Sequence, residues 1–419
     1  MGIPNMSLFN LTQNECICEM LKSNGLISGV NYFSSNRTCQ LFRSGNSSIV
    51  IKVNLNSCLI YINQTVISTT TRNVSNNNSL FGNQRTYSAG ATPYFIAVGN
   101  LNNDSTADIA VANYDSNTVG ILFNIGNGSF SSQRTYSVGP NPASIVLSDL
   151  NSDEQLDIVV TNFGSNTISV LLNIGNGTFS SQKTYLVNDQ PISAVVADTN
   201  NDNKSDIVVA NLYADNISVL RNYGNGTFSP QTTYPVGSFP RAVTVSDISS
   251  DNKPDIIVVN ADLNNIGVLL NIGNGTFSSQ KTYPVGDNPR SVVAGDLNND
   301  AKPDLVIANY DSNTTAILFN KGNGTFSSPT NYSVGIGPKS AVLSDLNEDN
   351  QLDIIVTNYD SNTISILLNS GNGTFRPKIN YPTGGSPRSG VAADVNNDNK
   401  PDLIVANEVW NNISVFLHN

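Results

Sequence analysis

Three observations predict an all-β chain, a seven-bladed propeller of four-stranded blades preceded by a small cysteine-bearing segment. The first is a repeat of 49 residues. It carries tyrosine at Tyr87, Tyr136, Tyr185, Tyr234, Tyr283, Tyr332 and Tyr381, and phenylalanine at Phe81, Phe130, Phe179, Phe228, Phe277, Phe326 and Phe375. Proline keeps the same step from Pro93 to Pro387, and seven copies fill 77–419 without an insertion. The second is the pattern within a copy, where short Val/Ile/Leu-rich runs between turn residues leave no room for a helix. In the fifth copy the expected strands are 291–294, 304–308, 315–320 and 325–334. Four strands at a period near 50 suit a propeller, whereas solenoid repeats are generally shorter. The third is the phase of the two ends. The last copy stops after its third strand, and 81–87 matches the fourth strand of every other copy. Residues 80–89 are therefore expected to pair with the C-terminal strands, complete blade seven and cover two otherwise open edges.

Taken from the start, residues 1–65 hold all four cysteines, Cys16, Cys18, Cys39 and Cys58. An even number confined to a short stretch points to a small disulfide-containing module with three possible pairings, of which Cys16–Cys18 has poor geometry. The runs Cys16-Ile17-Cys18, Gly29-Val30-Asn31-Tyr32-Phe33 and Thr38-Cys39-Gln40-Leu41-Phe42 resemble the latter part of a PAN/apple module. That resemblance implies an incomplete module. Residues 66–79, rich in Ser, Thr and Asn, read as a linker, and 80–419 as the propeller.

Composition narrows function. Charged residues are only 13% of the chain, and 21 Lys and Arg against 32 Asp and Glu leave a net charge of −11, which argues against nucleic acid and anionic membranes. The single histidine, His418, excludes histidine triads and multi-histidine zinc sites. No apolar run approaches the roughly 20 residues of a membrane span. The opening Met1-Gly2-Ile3-Pro4-Asn5 has no basic segment followed by an apolar run, so no signal peptide is expected there.

Between the first and second strands each copy carries an acidic nine-residue loop. Positions one, three, five and nine are Asn100, Asn102, Asp104 and Asp108 in copy one, then Asp149, Asn151, Asp153 and Asp157 in copy two. They are Asp198, Asn200, Asp202 and Asp206 in copy three, and Asp247, Ser249, Asp251 and Asp255 in copy four. Copies five to seven have Asp296, Asn298, Asp300 and Asp304; Asp345, Asn347, Asp349 and Asp353; and Asp394, Asn396, Asp398 and Asp402. Calcium takes six to eight oxygens, and alternate residues of a tight loop point such oxygens inward, with a carbonyl at position seven; magnesium demands stricter octahedral geometry. Up to seven calcium ions are expected, one per blade, and seven would turn −11 into +3. The loops at Asn100 and Ser249 are expected to bind most weakly. Position six lacks the EF-hand glycine: Asn203, Asn252, Asn350 and Asn399 suit a left-handed turn there, Glu154 and Ala301 less so. The plainer alternative is a set of Asx-turns in ordinary hairpins.

The loop spacing, the phenylalanine- and glycine-bearing strand and the seven-fold repetition resemble the FG-GAP repeats of integrin α-subunit propellers and VCBS-type repeats. The resemblance implies an extracellular propeller with calcium in its bottom-face loops. Integrins usually carry such loops in only some blades, which sets integrin-like partnering apart.

If those loops lie at the bottom, the connections from strand four to one and from two to three lie on top. There, at equivalent positions, the copies carry Tyr94, Ala143, Ile192, Arg241, Arg290, Lys339 and Arg388, and the copy-seven loop adds the only tryptophan, Trp410. Tyr94, Arg241, Arg290, Lys339, Arg388 and Trp410 are the expected ligand patch, since aromatic and arginine residues are enriched where binding energy concentrates. Gly-Asn-Gly-Thr/Ser-Phe recurs at Asn127, Asn176, Asn225, Asn274, Asn323 and Asn372; Asn-Gly favours a tight hairpin between strands three and four, and Asn-x-Ser/Thr is also a glycosylation acceptor. The expectation is a non-catalytic, secreted, calcium-binding recognition or adhesion module with a protein or glycan ligand. The alternatives are a propeller-scaffolded enzyme such as a polysaccharide lyase, against which the absence of a Gly-x-Ser-x-Gly elbow counts, and a structural spacer.

Overall fold

The computed structural model describes residues 29–33, 38–42, 48–53, 60–62 and 79–419. The chain divides into two units, Met1–Asn76 and Asn77–Asn419. In the first, Gly29–Phe33, Thr38–Phe42, Ser48–Val53 and Ile60–Ile62 form a four-stranded antiparallel sheet in chain order. The expected disulfides and most of the linker lie outside the described residues.

The second unit is a ring of seven antiparallel four-stranded sheets. In blade 1 the strands from the axis outward are Pro93–Gly99, Asp108–Asn113, Thr118–Leu122 and Arg134–Ser137. Proline opens each inner strand, where no ladder N–H is demanded of it, and a register shift follows at once, as between Pro93 and Phe95. The second strand is buried along its whole length, as in Asp157–Asn162, and therefore reads as a continuous apolar run between two polar ends. The outer strand is exposed except for its tyrosine, as in Lys183–Leu186.

The core lies between blades. One cluster joins Ala110, Val119 and Ile121 of blade 1 to Ile158, Val160 and Leu171 of blade 2. The 49-residue tyrosine and phenylalanine are the outer part of this packing. Tyr136 of blade 1 meets Phe179 of blade 2 edge to face, centroids 5.3 Å apart, and its hydroxyl donates to the Gly177 carbonyl at 3.0 Å. The same contact recurs around the ring and ends with Phe81 against Tyr381 at 5.6 Å.

Closure follows the expected phase. Arg85–Ser88 pairs with Asn412–Phe416 in the register Tyr87 to Ile413, and Phe81 bridges His418. The inner strands of blades 7 and 1 lie side by side. The fourth strand is shorter than expected. In the fifth copy it is only Thr330–Ser333, because Asn320–Gly322 and Thr325–Phe326 pair as a separate two-stranded ribbon. Asn323 and Gly324 at its tip are both left-handed, with φ of 54° and 64°, so the Asn-Gly turn forms but belongs to the ribbon.

Candidate functional site

Each inner strand runs from a proline at one face to an acidic loop at the other, so the two groups of candidate residues occupy opposite faces. In the loops, positions one, three and five converge. In blade 2 the Asp153 N–H donates to both Asp149 Oδ1 and Asn151 Oδ1 at 3.2 Å, and Asn151 Nδ2 donates to Asp153 Oδ2 at 3.0 Å. Asn100, Asn102 and Asp104 converge in the same way in blade 1. In blade 4, Ser249 donates to Asp247. The loop backbone is left-handed at position six everywhere, Glu154 (65°) and Ala301 (60°) included, and at position four as well, where Ser152 has φ of 64°. The two turns aim the N–H groups of residues 152–154 at the Asp149 carboxylate. These bonds hold Glu154 in a conformation it would otherwise avoid.

The ninth aspartate turns inward. Asp157 is fully buried, and its two oxygens accept the N–H groups of Leu150 at 2.9 Å and Asn173 at 2.7 Å. Burial, opposed by these bonds and aided by the charges of Asp153 and Asp149, pushes its carboxyl up to about 6. Among the described residues no three carboxylate, imidazole or thiol groups stand close enough to hold an ion unassisted. The donor chemistry nevertheless fits a hard cation, since three carboxylates and an amide oxygen share one loop. Lysine at position seven already meets the position-five aspartate in three loops, most closely Lys253 to Asp251 at 3.0 Å, and such exposed pairs are worth little.

The residue that donates to the ninth aspartate is itself a latch. Asn173 Nδ2 reaches back to the Leu101 carbonyl in the loop of blade 1 at 2.8 Å, and Asn124 closes the circle onto Val395 at 2.7 Å. At the seventh position of this series stands His418, whose Nε2 meets the Leu346 carbonyl at 2.8 Å. The signal was in the phase of the histidine, six periods after Asn124.

At the opposite face the inner strands surround the mouth of a central cavity of about 500 Å³. Tyr94, Arg241, Arg290, Lys339 and Arg388 all line it, beside Ala143 and Ile192. Trp410 does not: it sits on Gly385 in an outer loop with 59% of its surface exposed. The second-to-third-strand loops supply partners that the sequence reading missed. Arg290 lies over Tyr310 (4.8 Å to the centroid), and Lys339 lies between Tyr359 (4.2 Å) and Tyr310 (5.2 Å). Arg388 lies over Tyr94 and pairs with Glu408 at 2.6 Å. Glu408 replaces the tyrosine of Tyr310 and Tyr359 in the same phase, and that departure was the available signal. Burial, reinforced by the neighbouring guanidiniums, lowers Lys339 to about 7.

The FG-GAP-like repeat family matches residues 100–160, 149–209, 198–258, 247–307, 296–356 and 345–405. No curated protein matches the sequence. Among solved structures the chain is similar to an Agrocybe aegerita lectin that recognises non-reducing terminal N-acetylglucosamine (20% identity, TM-score 0.52, 69% of this chain and 80% of that one). It is also similar to virginiamycin B lyase from Staphylococcus aureus (15%, 0.58, 80% and 99%) and to BBS1N in complex with ARL6DN (12%, 0.59, 81% and 98%). At these identities the likeness is one of fold.

Proposed function

The chain belongs to the FG-GAP-like repeat family, and from that premise we propose that it is a non-catalytic, extracellular recognition module. Its acidic loops take calcium, and its opposite face presents the channel mouth to a protein or glycan. The carrying observation is an asymmetry. The acidic loops are nearly uniform around the ring, as a stabilising device should be, whereas the mouth differs from blade to blade, as a recognition surface must. Propellers of this fold include a lectin and a protein held in a complex, which supports both ligand classes.

Residues one, three and five of each loop would hold the ion, with the ninth aspartate behind them. A bound divalent ion supplies positive charge that relieves the repulsion among the carboxylates. The loop backbone is already wound around position one by its N–H bonds, so little reorganisation is asked of it. Catalysis by the histidine is disfavoured, because both its ring nitrogens face backbone carbonyls, those of Leu346 and Asn419. One observation favours a second reading: an amine with its pKa near 7 between two tyrosines is placed to take a proton, and a polysaccharide lyase needs such a base.

Thermal melting across a calcium titration tests the main reading. A ligand at 100 times its Kd adds about 2.7 kcal/mol per site, so calcium is expected to raise Tm in step with the logarithm of its concentration above Kd, magnesium less, and a chelator to reverse it. The loops at Asn100 and Ser249 should fill last. A melt unmoved by millimolar calcium removes the calcium reading, and appearance of unsaturated uronate products from acidic polysaccharides would favour the lyase.

A further inference from the structure

The recognition reading leaves open what the mouth recognises, and the following rests on that reading. The second residues of the inner strands divide the rim into two halves. Blades 1 to 3 contribute Tyr94, Ala143 and Ile192, and blades 4 to 7 contribute Arg241, Arg290, Lys339 and Arg388. Four cations half-buried around one opening repel one another, and such a cluster is costly to fold without counter-charge.

The counter-charge is incomplete. Glu408 is committed to Arg388 at 2.6 Å and also accepts from the Tyr359 hydroxyl. Asp262 and Asp311 act on Arg241 and Arg290 less than burial and the neighbouring charges do, and neither makes an ion pair with them among the described residues. Arg241, Arg290 and Lys339 are instead braced by ring faces, those of Phe239, Tyr310 and Tyr359. An aromatic face positions a cation without neutralising it. The Nε atoms of Arg241 and Arg290 are buried with no hydrogen-bond partner, which is costly for a charged donor. A space of about 500 Å³ in front of them lies in the ordinary size range of small-ligand sites.

We propose that the mouth of the central channel is an anion-binding site, in which Arg241, Arg290 and Lys339 hold the carboxylate, sulfate or phosphate group of the ligand while Tyr94 and Ile192 contact its less polar part. The guanidiniums give paired N–H donors suited to oxyanions. Acidic saccharides fit this division between a charged side and an apolar side.

Calorimetric titration of the full chain with sodium sulfate, sodium glucuronate and glucose, at ionic strength matched with sodium chloride, tests it. Saturable binding of sulfate or glucuronate, with none of glucose, is expected. The sulfate and glucuronate arms separate a bare oxyanion from a carboxylate carried on a ring. R241Q and R290Q should each weaken binding at least tenfold while melting in chloride no lower than the parent. R376Q, which removes an exposed charge outside the mouth, should not weaken it. No saturable binding of either anion, or equal weakening by R376Q, overturns the proposal. A protein that binds a neutral glycan at this mouth and neither anion also overturns it, yet leaves the recognition reading standing. That reading fails separately, if captured partners are indifferent to Tyr94 and Arg388.

Discussion

Replacing His418 tests whether the ring is held by seven equivalent latches. Its Nε2 is the hydrogen-bond partner of the Leu346 carbonyl at 2.8 Å, and Leu346 is fully buried. Its ring also meets Phe81 edge to face with centroids 5.3 Å apart. His418→Ala strands the carbonyl, at about 1–3 kcal/mol, and forfeits an aromatic contact worth about 0.5–1.5 kcal/mol. The sum is about 1.5–4.5 kcal/mol. With about 2.1 cal/mol/K of unfolding entropy per residue over 77–419, Tm should fall by roughly 2–6 °C in differential scanning calorimetry. His418→Asn installs the residue found at the six equivalent positions, where asparagine donates to two carbonyls, as Asn320 does to Ile248 and Pro303. It should recover at least half of the loss. The latch argument would be refuted by an alanine variant as stable as the parent, or by an asparagine variant as unstable as the alanine one.

Two further outcomes follow from local geometry. Gly177 and Gly275 share a hairpin position and φ near 65°, but a Cβ on Gly177 would lie 2.4 Å from the Phe123 ring, whereas Gly275 faces Arg221 Nη2 and Asn200 Cβ at 3.1 Å. In urea unfolding, Gly177→Ala should cost about 2–5 kcal/mol and Gly275→Ala only the backbone part, about 1–2 kcal/mol; equal losses would contradict the steric account. Lys339 faces Tyr310, Tyr359, Arg241, Arg290, Arg388 and Glu408. Its folded pKa, near 7, lies below the ordinary 10.5, so between these values the unfolded chain binds a proton that the folded chain does not. Its contribution to stability is therefore full above 10.5 and is lost as pH falls towards 7. Lys339→Met should accordingly raise Tm more at pH 6 than at pH 10, in buffers free of sulfate and phosphate, and a pH-independent effect would refute the assignment.

The repeat made most of the architecture readable. Tyrosine and phenylalanine recur at a fixed step because each pair bridges two blades, and the phase of 81–87 marks the closing strand in the sequence itself. The spacing of the aspartates was legible, but the direction of the ninth was not. Asp157 opens a strand buried on both faces, so burial rather than loop geometry decides where its carboxylate goes. The left-handed residues at position four were hidden because Ser152 and Asn201 carry no glycine signal. At the mouth, the cations were visible as departures from the repeat. Trp410 drew attention by rarity, whereas Glu408, two residues earlier, holds the contact that counts.

The separation of the two faces has a consequence for how the molecule orients. The acidic loops gather twenty aspartates and two glutamates at one end of the propeller axis, and Arg241, Arg290 and Lys339 sit at the other. The propeller therefore carries a dipole moment along its axis, which turns it before contact. It would settle on a positively charged matrix loops down, with the channel open to solvent. Filling the loops with divalent ions shrinks that moment.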